Sequence, residues 1–192
     1  DFFLLTNNQR SYAIPKPNLL KDPDFEELNP GSSAPTGYDV FFAHSSGGNE
    51  FSGWSMQPAT GSGQPRLYSG IYDGGVYAPM RSIFGLQTLI VNDEGYVYQH
   101  IRLKRNTEYT LSVYVKRPED YTAGGVPRLV VRHLREDRSA ISTTSQNFDA
   151  VENDHSVRRI SFTFTVPSNA DITEIRLRAN TERYVAFDGV QL

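Results

Sequence analysis

The chain has 192 residues, with 19 Lys+Arg against 22 Asp+Glu, a net charge of −3 and no cysteine. That length suits one all-β domain with a substantial core; the charge argues against a general nucleic-acid binder; and the missing cysteines exclude disulfides, thiolate metal sites and Cys nucleophiles. Hydrophobic residues make up 38% of the chain without a run approaching the length a bilayer needs, so no segment is read as a membrane span.

Taken in order, the chain opens on Asp1 rather than Met and shows no basic segment followed by an apolar one, which reads as a processed product or an excised fragment. Residues 1–17 read as a lead-in segment. Its Ile14-Pro15-Lys16-Pro17 is stiff because each proline fixes φ. Phe2, Phe3, Leu4 and Leu5 are apolar enough to pack on this domain, a neighbouring domain or another subunit. A single domain is expected over residues 18–192. Residues 29–82 are rich in Gly, Ser, Pro and Tyr, and a loop region this long is usually functional or locally structured.

Beyond that region, strand alternation recurs and no stretch sustains a helical period. Ile101 and Leu103 alternate with His100 and Arg102; Tyr109, Leu111, Val113 and Val115 with Thr110, Ser112, Tyr114 and Lys116. Ile160, Phe162 and Phe164 alternate with Ser161, Thr163 and Thr165; Ile175 and Leu177 with Arg176 and Arg178. Turn signals at Asn92-Asp93-Glu94-Gly95, Arg105-Asn106, Gly124-Gly125 and Pro167-Ser168-Asn169 separate the runs. Short strands at this spacing predict a sandwich or barrel with almost no helix.

No Gly-x-Ser-x-Gly elbow or Walker A loop occurs, and His44, His100, His133 and His155 show no His-x-x-x-His spacing. Adjacent acidic residues such as Glu136-Asp137 point to opposite faces of a strand and form no dyad by themselves. A non-catalytic protein is expected. Trp54, in Ser52-Gly53-Trp54-Ser55, is a candidate for stacking on a sugar ring, with a core position as the alternative. Tyr68, Tyr72 and Tyr77 lie among Gly and Ser, a composition that serves recognition loops and tyrosine-anchored turns alike. His133 reads as a hydrogen-bonded core histidine.

Several segments together resemble a known family: Asn18-Leu19-Leu20-Lys21-Asp22-Pro23-Asp24-Phe25-Glu26 at the start, Tyr98-Gln99-His100-Ile101-Arg102-Leu103-Lys104 leading into Thr107-Glu108-Tyr109-Thr110-Leu111-Ser112, then Ile160-Ser161-Phe162-Thr163-Phe164-Thr165-Val166-Pro167 and the closing Phe187-Asp188-Gly189-Val190-Gln191-Leu192. They look like the jelly-roll carbohydrate-binding modules attached to bacterial glycoside hydrolases and also found in phage tail and baseplate proteins. The stretch between Phe25 and Leu86 is longer than the family's usual connection. The resemblance implies an all-β jelly-roll sandwich of two antiparallel sheets, secreted or on a virion surface, binding a polysaccharide or cell-surface glycan. The alternative is a structural or assembly module of a larger extracellular or phage tail complex. The resemblance also implies a structural calcium ion, held by the acidic residue after the first-strand Phe and the Asp of the last strand, here Glu26 and Asp188. Backbone carbonyls and water would complete the 6–8 oxygens that Ca²⁺ takes.

Strand parity places the expected glycan face. With Ile101 and Leu103 inward, Tyr96, Tyr98, His100 and Arg102 face out; with Ile175 and Leu177 inward, Arg176 and Arg178 face out; with Leu129 and Val131 inward, Arg132 faces out. Jelly-roll order deals these three strands to one sheet. Rings beside guanidinium forks suit a sugar bearing carboxylate or phosphate. The plainer alternative is that acidic neighbours such as Glu174 and Glu182 pair with these arginines. The opposite sheet is expected to show a milder surface of Ser112, Tyr114, Lys116, Ser161, Thr163 and Thr165.

Overall fold

The computed structural model describes residues 18–25, 40–41, 50–51, 53–57, 66–69, 83–84, 87–91, 95–117, 124–151, 156–179 and 183–192. They form β1 (Val40–Phe41), β2 (Glu50–Phe51), β3 (Trp54–Gln57), β4 (Arg66–Ser69), β5 (Gln87–Val91), β6 (Tyr96–Ile101), β7 (Glu108–Lys116), β8 (Pro127–Leu134), β9 (Ala140–Asn147), β10 (Arg158–Thr165), β11 (Ile172–Ala179) and β12 (Val185–Gln191). No helix occurs among the described residues, and none long and apolar enough to cross a membrane. The strands form two antiparallel six-stranded sheets, ordered β1-β4-β5-β12-β7-β10 and β2-β3-β6-β11-β8-β9. The fold is a jelly-roll β-sandwich.

Alternation explains the layering. Along β10, Ile160, Phe162 and Phe164 are buried while Ser161, Thr163 and Thr165 are exposed. Register with β7 sets Ile160 opposite Val113 and Phe162 opposite Leu111, so the inward rows of the two strands coincide. Leu89, Val91, Val115, Val185, Phe187 and Val190 add to this sheet's contribution to the core. Val97, Leu129, Val131, Ile175 and Leu177 meet them from the second sheet. Each such buried side chain contributes roughly 1.5–3 kcal/mol. His133 belongs to this interior, 1% exposed, with Nδ1 3.3 Å from Thr173 Oγ1, and burial holds its imidazole below the ordinary histidine pKa.

The two ends of the described chain are joined by hydrogen bonds. The Leu19 amide donates to the Leu192 carbonyl, and the Val190 amide to the Pro23 carbonyl. Asn18 bridges them: its Nδ2 donates to the Val190 carbonyl at 2.6 Å, while its Oδ1 accepts from the Leu192 amide at 3.2 Å. Gln99, buried on the inner row of β6, accepts from the Lys21 amide and donates to the Lys21 carbonyl, so one side chain satisfies both backbone polar groups of that residue. The sheet edges lie elsewhere, at β1 and β10 in one sheet and at β2 and β9 in the other.

The outer surface of the first sheet differs from expectation. Ser161, Thr163 and Thr165 are exposed, but Ser112 and Lys116 are buried and Tyr114 is half-buried. Phe84 folds over this part of the sheet and meets Tyr114 edge-on, ring centroids 4.7 Å apart. Ile90 and Ala186, with Ile83 and Tyr184, form a second small apolar cluster. Gly189 permits this cover: its φ is +56°, and an added Cβ would stand 2.8 Å from Phe84 Cε2. Alternation specified which rows faced out, but not that residues 83–84 would return to cover one of them.

Candidate functional site

The outer face of the second sheet gathers most of the side chains the sequence singled out. β6, β11 and β8 are adjacent there, with Tyr96, Tyr98 and His100 opposite Arg178, Arg176 and Glu174. Those three in turn lie opposite Arg128, Val130 and Arg132. Paired residues share a face, so the surface continues to Gln57 and Ser55 on β3, beside Tyr96 and Tyr98. It ends at Asn147, Ser145 and Thr143 on β9, beside Arg128, Val130 and Arg132. One row across the sheet therefore reads Gln57, Tyr96, Arg178, Arg128, Asn147, and the next Ser55, Tyr98, Arg176, Val130, Ser145.

Tyr96, Tyr98 and His100, spaced two residues apart, form an aromatic ladder along β6 with ring centroids 5.8 and 5.2 Å apart. Arg176 Cζ stands 4.3 Å from the Tyr96 centroid and Arg178 Cζ 5.5 Å from it. Both guanidiniums pack on this one ring, whereas Tyr98, half-buried, lies between Tyr96 and His100.

At the other end of the face stands Glu174, only 5% exposed. Its Oε1 accepts from Arg176 Nε at 2.5 Å and from Arg132 Nη1 at 3.1 Å, and its Oε2 lies 2.9 Å from His100 Nε2. Burial pushes this carboxyl up, but the Arg176 charge, the Arg176 and His100 hydrogen bonds and the Arg132 charge together outweigh it. They hold the pKa below the ordinary value. The side chains of Arg176, Arg132 and His100 are therefore fixed by an ionised carboxylate.

Arg102 is exposed, as expected, but stands at the end of the ladder. It lies one residue beyond β6 and pairs with Glu136 at 2.5 Å, both side chains 66% exposed, so it marks the rim. Trp54 is a core residue: it is wholly buried, packs on Phe25 with ring centroids 5.4 Å apart, and donates from Nε1 to the Asp22 carbonyl at 3.0 Å. A buried indole has no face for a sugar. Tyr72 and Glu26 lie outside the described residues. Asp188 is wholly buried, and its Oδ2 and Oδ1 accept from the Phe84 and Gly189 amides at 2.9 and 2.7 Å. Among the described residues no three His, Asp or Glu side chains converge. A calcium shell would thus take one buried hard-oxygen donor from Asp188 and the rest from Glu26, backbone carbonyls and water.

Arg128 and Glu174 belong to the face but were not singled out as site residues. The signal was available, since Arg128 shares parity with Arg132 and Glu174 with Arg176. The polar contribution of β3 and β9 follows only from which strands pair.

A family model described as a carbohydrate binding domain matches residues 85–185, a span that contains four of the six strands of this sheet. Among solved structures, the N-terminal CBM22-1–CBM22-2 tandem domain of Paenibacillus barcinonensis Xyn10C is similar at 12% identity and TM-score 0.57, over 94% of this chain and 46% of that one. The CBM22-1 xylan-binding domain of the same protein has 13% identity and TM-score 0.50, over 75% and 86%. The enzymatically active domain of tailspike protein 4 from Bacteriophage CBA120 has 15% identity and TM-score 0.53, over 74% of this chain and 19% of that one. At these identities the likeness concerns the fold. The aligned region spans about a fifth of the tailspike domain's length. No curated protein sequence matches the chain significantly.

Proposed function

The chain belongs to the carbohydrate binding domain family, and from that premise we propose that it is a non-catalytic module binding a polysaccharide or cell-surface glycan across the outer face of the β2-β3-β6-β11-β8-β9 sheet. The observation that carries this reading is the Tyr96-Tyr98-His100 ladder flanked by guanidiniums and by uncharged hydrogen-bonding side chains on β3 and β9. A ring offers the apolar face of a pyranose a flat partner, and planar donors bind its oxygens. The four arginines of the face favour an acidic glycan. The module would act outside the cytoplasm, secreted or on a virion surface, alongside neighbouring domains or subunits. Glu26 and Asp188 would hold a structural Ca²⁺ whose chemistry is to clamp distant segments of the chain.

The test is affinity electrophoresis and titration calorimetry against a panel of soluble neutral and acidic polysaccharides, with Tyr98→Ala as the variant. Wild type binds a member of the panel, and Tyr98→Ala weakens that binding roughly tenfold or more while circular dichroism stays unchanged, as expected of a central aromatic anchor. Undiminished binding by the folded variant would refute the sheet-face site.

A further inference from the structure

His100 closes the aromatic ladder at its Glu174 end. Its row across the sheet reads His100, Glu174, Arg132, Thr143. On the other side, the register of Ser55 with Tyr98 brings Gly53 level with His100. The β2–β3 turn therefore sets no side chain beside the imidazole, and the stem of Lys21 passes over the glycine. The remaining charged groups nearby are Arg176 on Glu174, Arg102 with Glu136 two residues on, and Glu50, one row away opposite Ser55.

The contact between His100 Nε2 and Glu174 Oε2, at 2.9 Å, fixes where the imidazole carries its proton. Despite its burial, Glu174 is held ionised by Arg176, His100 and Arg132, and a carboxylate only accepts. Nε2 must therefore donate, which leaves the neutral ring with a bare lone pair at Nδ1. Among the described residues nothing donates to Nδ1, and the side chain keeps 28% of its surface exposed. Nor does Nδ1 count among the buried polar atoms without a hydrogen bond, so solvent or a ligand reaches it.

That lone pair supplies what this end of the face lacks. Guanidiniums donate only. Glu174, 5% exposed, spends both oxygens on Arg176, Arg132 and His100. A sugar hydroxyl laid here meets donors for its oxygen and needs an acceptor for its proton. Thr143, the other uncharged acceptor of the row, lies three strands from His100, about 14 Å at strand spacing.

We propose that His100 Nδ1 is the hydrogen-bond acceptor for a ring hydroxyl of the bound polysaccharide, and that Glu174 is the positioning residue that keeps Nδ1 bare. This rests on the sheet-face reading above and adds the atom that selects a donor hydroxyl.

The test records two-bond nitrogen–proton correlation spectra of the full chain labelled with nitrogen-15 at histidine, free and with soluble xylan or polygalacturonate added. The His100 signals are assigned by their absence from His100→Gln. In the free protein at neutral pH, Nε2 should resonate as the protonated nitrogen and Nδ1 as the bare one. Bound polymer should move Nδ1 toward the protonated range, while His133, buried in the core, stays unmoved. Glu174→Gln, whose amide both donates and accepts, should release the lock and show both tautomers. In calorimetry His100→Phe, which keeps a ring in the ladder but no acceptor, should bind roughly three- to tenfold more weakly. A free protein with the proton on Nδ1, an Nδ1 signal unmoved by a polymer that binds, or undiminished affinity of folded His100→Phe overturns the acceptor. Wild type binding neither polymer overturns it as well. A single Nε2–H tautomer in Glu174→Gln overturns the positioning role. If His100→Phe fails to fold, the Nδ1 signal of the wild type decides. Should Tyr98→Ala weaken binding while Nδ1 stays unmoved, the sheet-face reading survives and this proposal alone falls; if neither responds, both fall.

Discussion

Replacing Glu174 by alanine would remove a carboxylate that is 5% exposed and engages Arg176, Arg132 and His100 at 2.5, 3.1 and 2.9 Å. Breaking a fully buried ionic network by deleting one partner costs about 3–5 kcal/mol. Here Arg132 and His100 each keep 28% of their side-chain surface exposed and can rehydrate, although Arg176 keeps 13%. The expected loss is therefore about 2–3 kcal/mol for Glu174→Ala, and about 1–2 kcal/mol for Glu174→Gln, which retains an oxygen acceptor but not the charge. The pH dependence follows from the depressed pKa of Glu174 in the folded protein. The unfolded state then binds the proton more readily, so this group stabilises the fold fully above its unfolded pKa, near 4.5, and the contribution disappears as pH falls through the folded value. Urea denaturation at pH 7 and at about pH 3, under conditions where both proteins fold, is the assay. The gap between wild type and Glu174→Gln should be largest at neutral pH and narrow on acidification. A gap below about 0.5 kcal/mol at pH 7, or one that does not change with pH, would show that the network contributes nothing to the folded state.

Trp54→Ala should destabilise the protein by about 3–5 kcal/mol, because the indole fills the core and its Nε1 bonds the Asp22 carbonyl. Urea titration would show this, and Trp54, the single tryptophan of the chain, should emit at short wavelength in the native state and shift red on unfolding. An exposed-tryptophan spectrum in the native protein would contradict the assignment to the core. Chelation by EDTA should lower the melting temperature, and added Ca²⁺ should restore it, by mass action on a native-state site that includes Asp188; an unchanged melting temperature would remove calcium from the account.

Much of the site was legible in the chain because period-two alternation is a local property. Once Ile175 and Leu177 are inward, Arg176 and Arg178 have nowhere to point but outward, and the same holds for Tyr96 and Tyr98 about Val97. That β6, β11 and β8 share a sheet came from the resemblance to jelly-roll modules, whose strand order deals them together. Arg102 is outward as alternation expects, but it stands at the rim, because β6 stops at Ile101. Trp54 sits at a position where composition left a loop or a core equally open, and only the packing of Phe25 and residues 18–25 against β3 placed its ring inside.

The sequence by itself determined the fold class and, strand by strand, which side chains share a face, since backbone geometry imposes both at a range of two residues. Tertiary structure decided which strands are neighbours and in what register. That one choice set Glu174 among His100, Arg132 and Arg176, and set Arg128 opposite Arg178. It also returned Phe84 over Tyr114 and Gly189, covering part of a surface that alternation alone left open. Contacts between residues tens of positions apart depend on the summed packing of the whole sandwich, and no local pattern carries that information.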